Sequence, residues 1–332
     1  MQLSAAVVGA GLMGKWHAHT INRIGAKLTA VIDNDPAAGS KLASRYGARY
    51  FQHSDEYFGA GTEDVVHICS PPDSHFPLAM RALAAGRNVL VEKPLTEAES
   101  ETIELVQQAA EAGRLLCPVY QFAFQRGLIA VQAALRKRSA APLLIEFDIA
   151  SAGGEHYCED RLNSLILDIL PHPMSVLHKL WPLTEPEPFS WHASWPRSGD
   201  LLAHGSHRGI PVLIRISLHA RPTRCKMTLH HGQGTISQDF FHGHAVFDAP
   251  GVSRCSKLAG PFLHSAKVIS AAASNLVVRA AKRQWAYPGL EPLVRQCYAS
   301  IEKGNTSAPV AGTAVLAIAR SCDEFRQLAP GS

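Results

Sequence analysis

Residues 7–18 read VVGAGLMGKWHA. Two valines close a short apolar run, glycines follow at positions 9, 11 and 14, and an amphipathic stretch begins. A G-x-G-x-x-G spacing between a strand and a helix lets the backbone come close to a diphosphate, at the end of the helix where the peptide dipoles are positive. The next apolar run, KLTAVID, ends in Asp33, 19 residues beyond Gly14. Dinucleotide-binding units place an acidic residue at about that distance, on the adenosine ribose. A carboxylate there accepts from the ribose hydroxyls and repels a 2′-phosphate, which favours NAD over NADP.

Moving outward from this turn, short apolar runs alternate with helical patterns through residue 120. DPAAGSKLASRYG is a helix with Asp35 as its N-cap and Pro36 at its first position. DVVHICS and NVLVEKP are strands, and the stretches ending at Gly86 and Gly113 are helices. Such alternation predicts a doubly wound parallel α/β sheet. After Gln121 the pattern changes. A helix and a strand, PLLIEFDIAS, lead to a helical stretch around 162–180 and then to strands from about 188 to 248. Turn residues between those strands predict an open, mainly antiparallel sheet. The remainder, 262–332, is helical in period. Two domains are expected, a Rossmann domain over 1–120 and an α/β substrate-binding and oligomerisation domain over 121–332.

Composition narrows the function. With 332 residues, 46% of them hydrophobic and 18% charged, the chain is an ordinary globular one. The net charge of +4 comes from scattered cations, so neither nucleic acid nor a membrane is expected as partner. No run approaches the ~20 apolar residues of a spanning helix, and the start reads as a strand rather than a secretory signal. Seven cysteines without a CxxC pair read as reduced thiols in a cytoplasmic protein.

Three further features carry chemistry. HICSPPDSH (67–75) places two prolines after the third strand, where open α/β sheets bind ligands; a plain strand-to-helix connection reads equally well. In NVLVEKPLT (88–96), Lys93 stands at the carboxyl end of a strand, either for chemistry or paired with Glu92 on a surface loop. In LILDILPHPMSVLHKLW, Asp168 and His172 are four apart and share one face if the segment is a single helix. A histidine oriented by a carboxylate exchanges protons near neutral pH. A helix-surface pair is the plainer alternative, and Pro171 and Pro173 kink the segment or start a helix. The sheet region is rich in His and Arg, which suits an anionic ligand better than a metal; no metal site is expected.

Taken together, VVGAGLMG, VIDNDPAAGSKLASRYG, CSPPDSHFPLAMRALAAGRNVLVEKPLT, LILDILPHP and the closing LVRQCYASIEKGNTSAPVAGTAVLAIARS resemble the Gfo/Idh/MocA oxidoreductase family. The resemblance implies a nicotinamide in the cleft between the two domains and hydride transfer with a secondary alcohol or ketone of a sugar, cyclitol or related small polar metabolite. It implies Lys93 as the lysine of the EKP motif and Asp168 and His172 as the family's dyad, with His172 as general acid/base. Lys93–Pro94 is a candidate cis bond. The cofactor-binding set is Gly9, Gly11, Leu12, Met13, Gly14, Asp33, Asn34, Ser70, Pro71, His75, Glu92 and Lys93. Substrate candidates are Tyr120, Gln121, Arg126, Glu155, His156 and Arg161. The chain departs from the family's glycines around the aspartate, since Leu170-Pro171 fills that space, and a bulkier pocket floor follows. An NAD-using glycosidase without net redox, an imine reductase and a nucleotide-sensing protein are the alternatives. Assembly as a homodimer or homotetramer through the C-terminal sheet is expected, because its open face needs cover.

Overall fold

The alternating segments form a six-stranded parallel sheet in the computed structural model, which describes residues 2–137, 141–155, 157–181 and 191–330. Its strands and helices run β1 (Ser4–Val8), α1 (Leu12–Arg23), β2 (Lys27–Ile32), α2 (Pro36–Tyr46), β3 (Arg49–Phe51), α3 (Ser54–Ala60), β4 (Val65–Ile68), α4 (His75–Ala84), β5 (Asn88–Val91), α5 (Glu99–Ala112) and β6 (Leu116–Pro118). The spatial order is β3-β2-β1-β4-β5-β6. That is the Rossmann order, with the strand direction of winding reversing between β1 and β4. β4 and β5 are buried at every position, as strands covered on both faces must be. Each fully buried valine or leucine contributes about 1.5–3 kcal/mol. Asp35 caps α2 by accepting from Ala37 N at 2.9 Å, and Gly47 closes that helix in the left-handed region at φ 65°. β3 and α3 were not separable from the loops by pattern, being only three and seven residues long.

The chain clusters into two units, one of Met1–Tyr120 with Leu290–Asp323 and one of Gln121–Gly289 with Glu324–Ser332. Residues 290–323, expected in the second domain, group with the first unit. The helix α10 (Leu290–Glu302) buries Leu290, Leu293, Val294, Cys297 and Tyr298 there. Ion pairs Arg23–Glu291 at 3.0 Å and Glu99–Arg320 at 2.9 Å fix the same segment.

The second unit comprises α6 (Arg126–Arg136), β7 (Leu144–Ala150), α7 (Glu159–Ile169), α8 (Pro171–Leu180), β8 (His192–Arg197), β9 (Asp200–His207), β10 (Ile210–Ser217), β11 (Arg224–His231), β12 (Gly234–Asp239), β13 (His244–Asp248) and α9 (Arg254–Ala281). Its sheet has the order β13-β12-β11-β7-β10-β9-β8, antiparallel except for β7 beside β10. Period-two burial decides its faces. Ile145, Phe147 and Ile149 point into the core with Val212, Ile214, Met227 and Leu229, while Glu146, Asp148, Leu202 and Leu213 lie on the open face. Residues 189 and 190 of the predicted strand FSWHASW lie outside the described residues. The final helix is α11 (Gly312–Gln327), and within the second unit Phe325 packs on Trp191 at 5.1 Å between ring centroids. Among the described residues no helix is long and apolar enough to cross a membrane.

Candidate functional site

Four strand ends on the carboxyl edge of the Rossmann sheet supply the candidate groups. Gly9 follows β1, Asp33 follows β2, Ser70 and Pro71 follow β4, and Glu92 and Lys93 follow β5. A groove of about 980 Å³ runs over this edge, lined in part by Gly9, Gly11, Leu12, Met13, Asp33, Asn34, Ser70 and Pro71. Eight of the residues expected to hold a cofactor therefore share one concavity.

The glycines have different reasons to be glycine. Gly9 sits at φ 95°, a conformation that L side chains rarely adopt. A Cβ on Gly14 would lie 1.8 Å from the Gly9 carbonyl oxygen, so Gly14 lets α1 pack onto the turn rather than touch the groove. A Cβ on Gly11 would meet nothing within 4 Å. It would stand in the groove, at the start of α1, where no side chain caps the helix. This open cradle at a positive helix end fits a dinucleotide diphosphate. Asp33 fits the ribose end: its carboxylate accepts from Ala10 N at 2.5 Å and from Asp35 N at 2.7 Å, which fixes its direction and leaves lone pairs on both oxygens. Arg81, which pattern reading missed, also lines the groove, but its guanidinium is held by Asp55 at 2.6 Å and stacks over Phe58.

His75, Glu92 and Lys93 do not line the groove. His75 is buried and reaches the carbonyls of Pro94 at 2.7 Å and Ser70 at 2.9 Å, tying the β4 loop to the EKP turn. The Lys93–Pro94 bond is cis. Glu92 is buried, and one of its oxygens accepts the Lys93 amide at 3.2 Å. Its other oxygen meets His17 Nε2 at 3.0 Å; His17 Nδ1 meets His67 Nδ1 at 2.7 Å, and His67 Nε2 meets the Tyr298 hydroxyl at 2.9 Å. Every polar atom is satisfied if Tyr298 donates to His67, His67 to His17 and His17 to the Glu92 carboxylate. Burial, with His17 adding to it, holds His67 well below the ordinary histidine range, in agreement with a neutral ring. None of His17, His67 and Tyr298 was foreseen. The available signal was a histidine inside the apolar run DVVHI, where a polar group needs a buried acceptor or donor.

In the second unit, Asp168 lies in the last turn of α7 and His172 in the first turn of α8. The single helix that would put them on one face is thus two helices. Leu170 at the junction keeps helical angles (φ −54°, ψ −35°), while Pro171 has no N–H to continue the ladder and opens α8. The His172 ring stacks on Phe122 at 4.1 Å and 18°, and Phe122 stacks in turn on Phe240. Both dyad residues are partly accessible. Leu170 and Pro171, expected on a pocket floor, are buried.

The substrate candidates are dispersed. Tyr120 and Gln121 are buried, and Tyr120 is pushed well above its usual pKa by that burial. Arg126 is exposed at the start of α6, Arg161 is exposed on α7, and Glu155 is ion-paired with Arg221. His156 lies outside the described residues. On the open sheet face the cations are largely neutralised in place. Asp148 binds both Arg215 and Arg224, and although burial opposes it, those hydrogen bonds hold its pKa below the ordinary carboxylate range. His230 pairs with Glu146 at 2.6 Å. The seven cysteines are free thiols, and the described residues contain no cluster of three or more His, Cys, Asp or Glu able to hold a metal ion.

With this geometry established, residues 3–120 match the model of an oxidoreductase family with an NAD-binding Rossmann fold, Gfo/Idh/MocA. Inositol 2-dehydrogenase of Cereibacter sphaeroides is 31% identical over 205 residues, covering 60% of this chain and 59% of that protein. Inositol 2-dehydrogenase of Corynebacterium glutamicum is 30% identical over 227 residues, covering 65% and 64%. The chain thus aligns with less than two thirds of these relatives' length. The crystal structure of GenD2 from gentamicin A biosynthesis, in complex with NAD, superposes with a TM-score of 0.76 over 100% of this chain and 95% of that one, at 20% identity. At that identity the likeness shows the fold, over the second unit as well as over residues 3–120.

Proposed function

We propose that the chain is an NAD-dependent dehydrogenase or reductase that moves a hydride between a nicotinamide and a secondary alcohol or ketone of a small polar metabolite, of the sugar or cyclitol class. The observation that carries this is the Asp33 carboxylate, fixed by two backbone amides in the same groove as the Gly11 cradle. Bound there, NAD would supply the hydride acceptor or donor. Gly9, Gly11, Leu12 and Met13 would hold the diphosphate and Asp33 and Asn34 the adenosine ribose. The negative charge of Asp33 disfavours a 2′-phosphate. The two curated relatives, both inositol 2-dehydrogenases, support the substrate class.

Lys93 in this reading donates to the reacting oxygen and neutralises charge that develops on it as the C–H bond breaks or forms. Glu92 positions Lys93 by accepting its amide from a carboxylate anchored in the buried histidine chain. His172 takes the hydroxyl proton in oxidation and returns it in reduction, and Asp168 orients the ring. Phe122 holds the imidazole plane by stacking. Self-association through the open sheet face, where Leu202 and Leu213 are exposed, belongs to the same reading. The test is turnover with a panel of cyclitols and hexoses, followed through the reduced nicotinamide, for wild type, Lys93→Ala and His172→Asn. Both variants should lose at least about tenfold to a hundredfold in kcat while keeping nucleotide affinity. If Lys93→Ala retains more than about a tenth of wild-type turnover, its assigned role fails.

A further inference from the structure

Amphipathic helices on a domain surface normally turn their apolar stripe inward and their charges to water. α9 turns its largest apolar residues to water instead. Its 28 residues include no buried one. The side facing the domain sets half-buried Val268, Ala271 and Val278 beside polar contacts: His264 meets Asp248 at 2.8 Å, Lys267 reaches the Phe247 carbonyl at 2.9 Å, and Asn275 donates to the His242 carbonyl at 2.5 Å. Arg279 donates to the same carbonyl at 3.3 Å. The opposite side carries Leu258, Phe262, Ile269 and Leu276, with exposures of 79%, 79%, 69% and 65%. These contacts hold the helix in place, and the side with its largest apolar residues is left to something else.

The stripe has the repeat of a helix–helix seam. Phe262, Ile269 and Leu276 follow one another at seven-residue steps, and Ser265, Ala266, Ala272 and Ala273 between them are small. Small residues let a second backbone approach closely, while the large ones fill the holes between turns. The pattern is also nearly symmetric about Ile269. Phe262 and Leu276 lie seven residues to either side of it, Ala266 and Ala272 three, and Ser265 and Ala273 four. A segment symmetric about its own centre is self-complementary when two copies pack antiparallel about a two-fold axis. Each contact then occurs twice, as an isologous interface requires.

We infer that α9 is a self-association surface, in which the α9 of a second copy lies antiparallel on the first with Ile269 at the two-fold axis. Phe262 then packs against Leu276 of the second copy, and the reverse. The area suffices. A helix of this length is about 42 Å long, and half the circumference of a ~10 Å cylinder gives roughly 650 Å² per copy. Specific interfaces bury about 800 Å² per partner, with a wide spread. Charge separates this occupant from an anionic surface. Residues 249–290 hold Arg254, Lys257, Lys267, Arg279, Lys282 and Arg283 and no acidic side chain. Lys267 and Arg279 are turned to the domain. Pairing brings the cationic ends of two helices near one another at the rim, so added salt should strengthen the association by screening them. Binding to anionic lipid would weaken with salt instead.

The experiment uses the full chain with its exposed thiols Cys158 and Cys255 changed to serine. Ile269→Cys should form a covalent dimer under mild oxidation roughly tenfold or more faster than Ser274→Cys, since only cysteines at the axis bring their Cβ atoms within disulfide reach. Ile269→Glu, placed at a position already exposed in the protomer, should leave the melting temperature unchanged and halve the particle mass seen by light scattering at micromolar concentration. Equal crosslinking rates, an unchanged mass for Ile269→Glu, or a wild-type protein that is monomeric at those concentrations would overturn the inference. Ile269-dependent co-sedimentation with phosphatidylglycerol vesicles, abolished by salt, would overturn it in favour of a lipid surface.

Discussion

Changing Tyr298 to phenylalanine isolates one link of the buried chain beneath the EKP turn. The ring is kept, with its packing in α10 and its contact with His67 at 5.8 Å between centroids, and only the hydroxyl is removed. His67 Nε2, in a fully buried ring, then has no partner. A tautomer switch cannot repair this. His17 Nε2 must donate to the Glu92 carboxylate, so its Nδ1 takes the hydrogen on His67 Nδ1 and leaves Nε2 bare. If the shared hydrogen sits on His17 instead, His67 Nε2 carries an N–H with nothing to accept it. One buried orphan costs about 1–3 kcal/mol. At roughly 2–4 °C per kcal/mol for a domain of this size, the melting temperature should fall by about 2–12 °C. The measurement belongs at pH 8. His67 is held below its unfolded value of 6.5, so its contribution is complete above that pH and is lost as pH falls below it, by up to ~1.4 kcal/mol per unit. The exposed Tyr157 provides the control, since Tyr157→Phe should change nothing. A Tyr298→Phe protein that melts within about 1 °C of wild type at pH 8 would refute the chain as drawn.

The glycine turn yields a paired expectation: Gly11→Ala should fold with wild-type stability, because its Cβ meets no protein atom, yet lose nucleotide affinity, whereas Gly14→Ala should lose stability and affinity together. Melting curves and nucleotide titration separate the two, and a Gly11→Ala variant that binds NADH normally would remove the cradle from the site. Asp33→Ser should weaken NADH by roughly 10- to 100-fold and NADPH less, on a charge-assisted hydrogen bond worth ~1.5–3 kcal/mol; an unchanged NADH-to-NADPH ratio would count against Asp33 as the selector. His178, on α8, is pushed down to about 3 by burial and by neighbouring His207. Its share of stability is whole above pH 6.5 and lost on acidification toward pH 3, on the order of 4–5 kcal/mol over that window. His178→Phe should therefore flatten acid unfolding measured by urea melts between pH 7 and 4, and an unaltered slope would assign the acid sensitivity elsewhere.

How far the sequence could be read follows from which signals are local. The Gly9–Gly14 turn, the Asp35 cap and the strand–helix alternation are each fixed by the φ/ψ needs and hydrogen-bond needs of neighbouring residues, so a reader of the chain meets their causes in order. The Asp168–His172 break is also local, but it is carried by the missing N–H of Pro171, and spacing alone pictures one helix where there are two. Three other features depend on distant contacts. α10 shows an ordinary apolar face in Leu290, Leu293 and Val294, and nothing in that periodicity says whether it docks on the nearer domain or returns to α1. His67 interrupts an apolar strand because Tyr298, more than two hundred residues later, completes its hydrogen bonding. The outward stripe of α9 is the sharpest case. Periodicity finds the stripe of Phe262, Ile269 and Leu276, but the direction it faces was settled by Asp248 and the carbonyls of Phe247 and His242, which hold the helix by its other side. Burial is a property of the pair of surfaces and not of the helix. A hydrophobic stripe read from sequence therefore predicts that a cover exists, and only the fold decides whether that cover comes from the same chain.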